Sequence, residues 1–212
     1  MKSSTKSVAA ILAAMCALLI PAVTFAAATP TLNQTVNPGT LSTDIQSDST
    51  TTVASPSVAF PALNRSFECQ TNTATLGNDT NRIYVTNFAT NGGWTLAMAA
   101  TGGNTTTWTD TAKTYKFNDA TGSGCTNGQM TVNASAGTIT PDCSSVCDTV
   151  PVTKGSSTAF VSGTTDSVTL MSTASGTAWK GYLTGVGLSQ KIPPSQAAGN
   201  YSLPMTITVT AQ

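Results

Sequence analysis

The feature that most constrains this chain is a period-two alternation of apolar and hydroxyl-bearing residues, repeated many times after residue 57. Trp94, Leu96 and Met98 fall on one side of an extended run, with Thr95 and Ala97 between them. Ile83 with Val85, Tyr115 with Phe117, Met130 with Val132, Val168 with Leu170 and Val186 with Leu188 repeat the spacing. The last run is the longest: Tyr201, Leu203, Met205, Ile207 and Val209 alternate with Ser202, Pro204, Thr206 and Thr208. A strand points successive side chains to opposite faces, so this spacing buries one face and wets the other. Threonine suits the wet face because its β-branch fits a pleated surface. Gly, Asn and Asp between the runs supply turns. No 12-residue stretch beyond the N-terminal segment carries a helical stripe. The pattern predicts an all-β fold: an antiparallel β-sandwich of about eight to eleven strands, a single domain over residues 58–212. Pro204 cannot donate to a ladder, so it marks an edge or the start of pairing.

Upstream the texture differs. Lys2 and Lys6 precede an apolar run from Val8 to Ile20, Pro21 breaks it, and small residues follow at Ala26–Ala28. This order reads as a secretory signal peptide over residues 1–28. The run is shorter than the ~20 apolar residues a membrane span needs. The mature chain is expected to begin near Ala27 or Thr29, to be exported, and to have no membrane insertion. Residues 29–57 are rich in Thr, Ser, Pro and Asn, with scattered apolar positions. They read as a flexible linker, with a short strand admitted at its end, because they cannot bury enough surface to offset chain entropy.

Charge and composition narrow the chemistry. Only 8% of the 212 residues are charged and the formal net charge is zero. Without a basic surplus, nucleic acid is not an expected partner. The chain has no histidine, so neither a Ser-His-Asp nor a Cys-His nucleophilic site can form. Phosphate-loop and dinucleotide fingerprints are missing too. Asp110 with Asp119, or Asp142 with Asp148, could pair as acid and base, but each lies in a polar loop where solvation is the ordinary role. The loop Asn118–Gly124 has a calcium-loop flavour, yet one Asp and one Asn supply too little charge. The expectation is a non-catalytic protein with no cofactor and no metal.

Four cysteines lie beyond the signal peptide: Cys69, Cys125, Cys143 and Cys147. Three residues separate Cys143 from Cys147, where a zinc pair usually has two, and export favours disulfides. Folding Gln129–Asn133 back on Thr138–Thr140 as a hairpin sets Val132 opposite Thr140 and Cys125 opposite Cys147. Cys69 then falls to Cys143.

The stretch from Arg82 to Gly103, RIYVTNFATNGGWTLAMAATGG, resembles the first half of the WxL domain of bacterial surface proteins. The motif stands here as Gly93-Trp94-Thr95-Leu96. Ser57–Phe60 lies where that family has an apolar strand, and Val186 to Thr210 resembles its closing pattern. The family's second Trp-x-Leu is replaced by Ile207-Thr208-Val209, and the four cysteines are not typical of it. The resemblance implies secretion and non-covalent attachment to a cell-wall polymer, with peptidoglycan as the ligand.

Trp94, with Leu96, reads either as core or as a ring that stacks on a sugar face. Trp108 and Trp179 stand in more polar company and could equally be the exposed platform. Trp94, Leu96, Trp108 and Trp179 are therefore the candidate ligand-binding residues. The functional expectation is a secreted surface protein held on the wall or by other surface proteins. The alternative is a pilus or surface-layer subunit whose strand Tyr201–Val209 completes a neighbour's sheet.

Overall fold

The computed structural model describes residues 33–37, 39–89, 92–143 and 150–212. The compact unit runs from Asn37 to Gln212. It is an all-β sandwich. Fourteen strands occur among the described residues. The number exceeds the expected range because several are only two or three residues long, too short to show a period.

Three extended segments are each bent in two. β2 (Gln70–Leu76) leads into β3 (Arg82–Asn87), β7 (Gln129–Asn133) into β8 (Thr138–Pro141), and β12 (Trp179–Thr184) into β13 (Val186–Ile192). β13 pairs with β2 and β7, and β12 pairs with β3 and β8, all antiparallel. The bend passes through Gly185, at φ 76°, whose N–H donates to the Gly77 carbonyl at 2.9 Å. Gly77 has φ 82°, and a β-carbon there would sit 3.0 Å from Thr184 Cα. Only glycine meets both demands at this corner. On the third segment the Asn133 side chain accepts from the Ala136 N–H and caps one 3₁₀ turn at Ala134–Ala136. Bent strands of this kind let one ribbon serve two sheets.

Each half gains one edge strand. β1 (Leu41–Gln46) lies along β3 and β10 (Ser157–Ala159) along β7. A third sheet orders β14 (Met205–Ala211), β4 (Trp94–Ala100), β11 (Ser167–Thr173) and β9 (Thr153–Lys154). The fourth is the hairpin of β5 (Trp108–Asp110) and β6 (Lys113–Tyr115). The alternating side chains read from the sequence form the core between these sheets: Ile83, Val85, Leu96, Met98, Val132, Val168 and Leu183 are all buried. A bulge in β11 between Thr169 and Met171 breaks its period, so Leu170 and Met171 are both buried. The strand β14 pairs with β4 from Met205 to Ala211, and Pro204 stands just before it, its carbonyl accepting the Thr101 N–H at 3.0 Å.

Three features differ from the sequence expectation. Within the stretch expected as a linker, Leu41–Gln46 form β1, because pairing with β3 supplies hydrogen bonds that composition does not reveal. β7 and β8 are not a hairpin: the 3₁₀ turn carries the chain around the corner, and they pair with β13 and β12 respectively. The cysteine register built on that hairpin falls with it. Cys69 is bonded to Cys125, with Cα atoms 5.6 Å apart, instead of to Cys143. Cys143 is itself disulfide-bonded, and Cys147 lies outside the described residues.

Candidate functional site

The four nominated binding residues separate. Trp94, Leu96 and Trp179 are core, at 0%, 0% and 1% exposure. The two indole rings pack at 5.3 Å across the sandwich, from β4 to β12. Gly93 is required beside them: a β-carbon there would lie 2.5 Å from the Thr173 carbonyl oxygen. The Gly-Trp-Thr-Leu stretch is thus a packing element of the fold, and its rings offer no face to a ligand.

Trp108 stands apart, half-buried beside a surface cleft. It pairs directly with Tyr115 across the β5–β6 hairpin, and the two rings lie nearly parallel, 10° apart at 5.9 Å. Phe60 meets the indole edge-on at 5.6 Å, and Tyr201 meets Tyr115 edge-on at 5.1 Å. The indole N–H donates to Gln190 Oε1 at 2.8 Å, and Gln190 Nε2 donates to the Lys191 carbonyl at 2.7 Å. Gln190 is 1% exposed. A buried amide must be hydrogen-bonded, and here its partner fixes the tryptophan. Burial, and then the neighbouring Tyr201, push the Tyr115 hydroxyl above the ordinary tyrosine range.

Two walls flank this aromatic row. One is the strap of residues 54–66. The other is the loop Pro193–Asn200. Ser195, at φ 59°, latches them: its N–H donates to the Ser66 carbonyl at 2.7 Å, and its carbonyl accepts from Arg65 at 3.1 Å. Asn72 holds the strap through the Pro61 carbonyl at 2.8 Å, and Lys113 holds the loop through the Ala198 carbonyl at 2.6 Å. The cleft between them has a volume of about 530 Å³. Asn64, Gln70, Asn72, Gln190, Gln196 and Asn200 line it, and Arg65 is its one charged lining residue. Amides offer donors and acceptors together, so the cleft suits a neutral, hydroxyl-rich ligand.

No family model matches the chain, and no curated protein matches it.

The carboxylates are engaged separately. Asp110 pairs with Lys113 at 3.6 Å, and Asp142 with Lys180 at 3.9 Å and the Tyr84 hydroxyl at 3.0 Å. Asp148 lies outside the described residues. Asp119 accepts from the Thr121 N–H at 2.8 Å, from Asn127 at 2.8 Å and from Lys116 at 3.3 Å. Its oxygens thus staple the loop Asn118–Gly124. Among the described residues no group of three His, Cys, Asp or Glu side chains could hold a metal ion. The donors, those of Thr121 first, hold the Asp119 carboxyl well below the usual range. A depressed folded pKa contributes stability above the unfolded value of about 3.9, which is lost as pH falls through the folded value. The stability Asp119 contributes is therefore expected to decline as pH falls below about 4, the loop loosening only well below that, and Asp119→Asn should flatten that dependence in melts recorded against pH.

Of the aromatic row, the sequence singled out only Trp108. The tetrad Asp110–Lys113, polar but for Ala112, between two β-prone pairs was the available signal for the hairpin that brings Tyr115 to it. Phe60, Gln190 and Tyr201 join from distant segments, and no local pattern announces them.

Proposed function

We propose that the chain is a secreted, non-catalytic surface protein that associates non-covalently with the bacterial cell wall, through the cleft beside Trp108. The observation that carries this reading is the lining: five exposed or half-buried amides, those of Asn64, Gln70, Asn72, Gln196 and Asn200, and a half-buried aromatic row, with a single charged residue. Aromatic edges and amide groups together recognise sugars, whose apolar faces and hydroxyls demand both. The resemblance to WxL domains supports the same assignment and favours peptidoglycan as the polymer. The alternative, a subunit donating Tyr201–Val209 to a neighbour, has most of that strand already paired with β4.

The mature protein is expected to sediment with isolated bacterial cell walls and to be released by strong denaturant. Moderate salt should leave retention nearly unchanged, because screening acts mainly on exposed charges and the cleft has one. Gln70→Ala with Asn200→Ala should lower retention roughly 2- to 10-fold per lost hydrogen bond, with an unchanged melting curve. Release by moderate salt alone would contradict the mechanism, and failure to sediment with any wall preparation would remove it.

A further inference from the structure

The aromatic row borders more than the amide-lined cleft. Val58, Phe60, Trp108 and Tyr201 line both it and a second, larger cleft of about 810 Å³. The second is mainly apolar, with Thr43, Thr52, Thr75, Asn78, Asn81 and Thr206 also on its wall. Ile45, Val53, Leu76, Leu203 and Ile207 line it, together with three methionines, Met98, Met130 and Met205. Its one charged lining residue is Asp44, whose carboxylate is already taken by the Ile45 N–H at 2.8 Å and by the Thr52 hydroxyl. Methionine is unbranched and adapts to irregular or flexible apolar guests. Both volumes fall in the range of small-molecule sites, roughly 300–1,000 Å³. The strap beside both clefts is held by side chains and by its latch at Ser66: residues 54–65 make no backbone-to-backbone hydrogen bond among the described residues. It can shift without breaking a sheet ladder.

A polar cleft rich in amides thus adjoins an apolar one, with Trp108 and Tyr201 lining both. These are the side chains that suit a junction with one wet and one apolar end. We infer that, besides wall sugars, the site takes a glycolipid-like amphiphile: a neutral sugar held by the amide cleft, carrying a single alkyl chain that enters the methionine-lined cleft. This inference rests on the sugar-binding reading above and adds the chain. The amide cleft argues for the occupant of the apolar one, since a guest bound in the first places its substituent beside Phe60 and Trp108, which also line the second.

The test is titration of the mature protein with glucosides bearing octyl, decyl and dodecyl chains, each below its micelle concentration, against free glucose and against dodecanoate. Affinity should rise up to about fourfold per added methylene, and dodecanoate should bind more weakly than the dodecyl glucoside. Ile207→Trp, which fills the apolar cleft, should abolish the dependence on chain length while leaving sedimentation with cell walls intact. Should that variant not fold, the methionine methyl resonances of the unaltered protein give the same answer. Dodecyl glucoside should shift Met98, Met130 and Met205, and glucose should not. Phosphatidylcholine vesicles with and without a glucosyl lipid separate a membrane-held source from a free one. Affinity independent of chain length, or methionine signals that do not move, would overturn the inference. If walls still sediment the protein in that case, the wall-binding reading stands without it. Equal binding of dodecanoate and dodecyl glucoside would remove the sugar from the ligand.

Discussion

Trp94→Ala is expected to destabilise the fold by about 3–5 kcal/mol, the range for deleting a large aromatic from a packed core. For a domain of this size that corresponds to a melting temperature lower by roughly 6–20 °C. Trp94 is fully buried, it packs on Trp179, and the Gly93 backbone is pressed against Thr173. The hole left by alanine therefore has rigid walls and cannot collapse. Trp94→Phe should cost clearly less. The indole N–H of Trp94 is buried without a hydrogen-bond partner, so phenylalanine forfeits ring volume but no polar contact. Thermal melts of the two variants check this. An unchanged curve for the alanine variant would overturn the core assignment and return Trp94 to the list of binding rings.

Removing the Cys69–Cys125 disulfide has the next largest expected effect. The bond joins residues 56 apart in sequence, and loop-closure entropy for a ring of that size is worth about 4 kcal/mol at most, with 2–4 typical. Cys69→Ser with Cys125→Ser isolates this bond from the one at Cys143, which a reductant would also open. The functional consequence follows from position. Cys69 lies three residues beyond Ser66, where the strap is latched to Ser195, and Cys125 tethers that end to the loop before β7. The serine variant should melt lower and should also retain cell walls less well at temperatures where it remains folded. A melting curve identical to that of the disulfide-bonded protein would show that the bond is structurally idle.

Much of the fold was legible in the sequence, because burial of one strand face imposes a period of two on the residues themselves. Ile83, Val85, Trp94, Leu96, Met98, Met130, Val132, Val168, Leu170, Val186 and Leu188 were assigned to shared faces from spacing alone, and all are buried. Pro204 stood at the start of a strand because an imide nitrogen cannot donate. Pairing was not legible. β7 and β8 look like a hairpin in one dimension, but a strand's partner is set by contacts far along the chain, and here both β7 and β8 pair across a corner made by Gly185 and Asn133. The cysteine pairs depended on that register and changed with it. Trp108 and Trp179 both stand in more polar company than Trp94, yet Trp179 is as buried as Trp94, so no neighbour rule separates them. Sheet packing buries Trp94 and Trp179, whereas Trp108 lies on a short hairpin at the margin, held by Gln190 from β13. By itself, the sequence determined the all-β class and the core faces, because these depend on side-chain period. Only the tertiary structure decided which tryptophan borders a cleft and what lines it, because strap, hairpin and loop meet there from segments that share no local pattern.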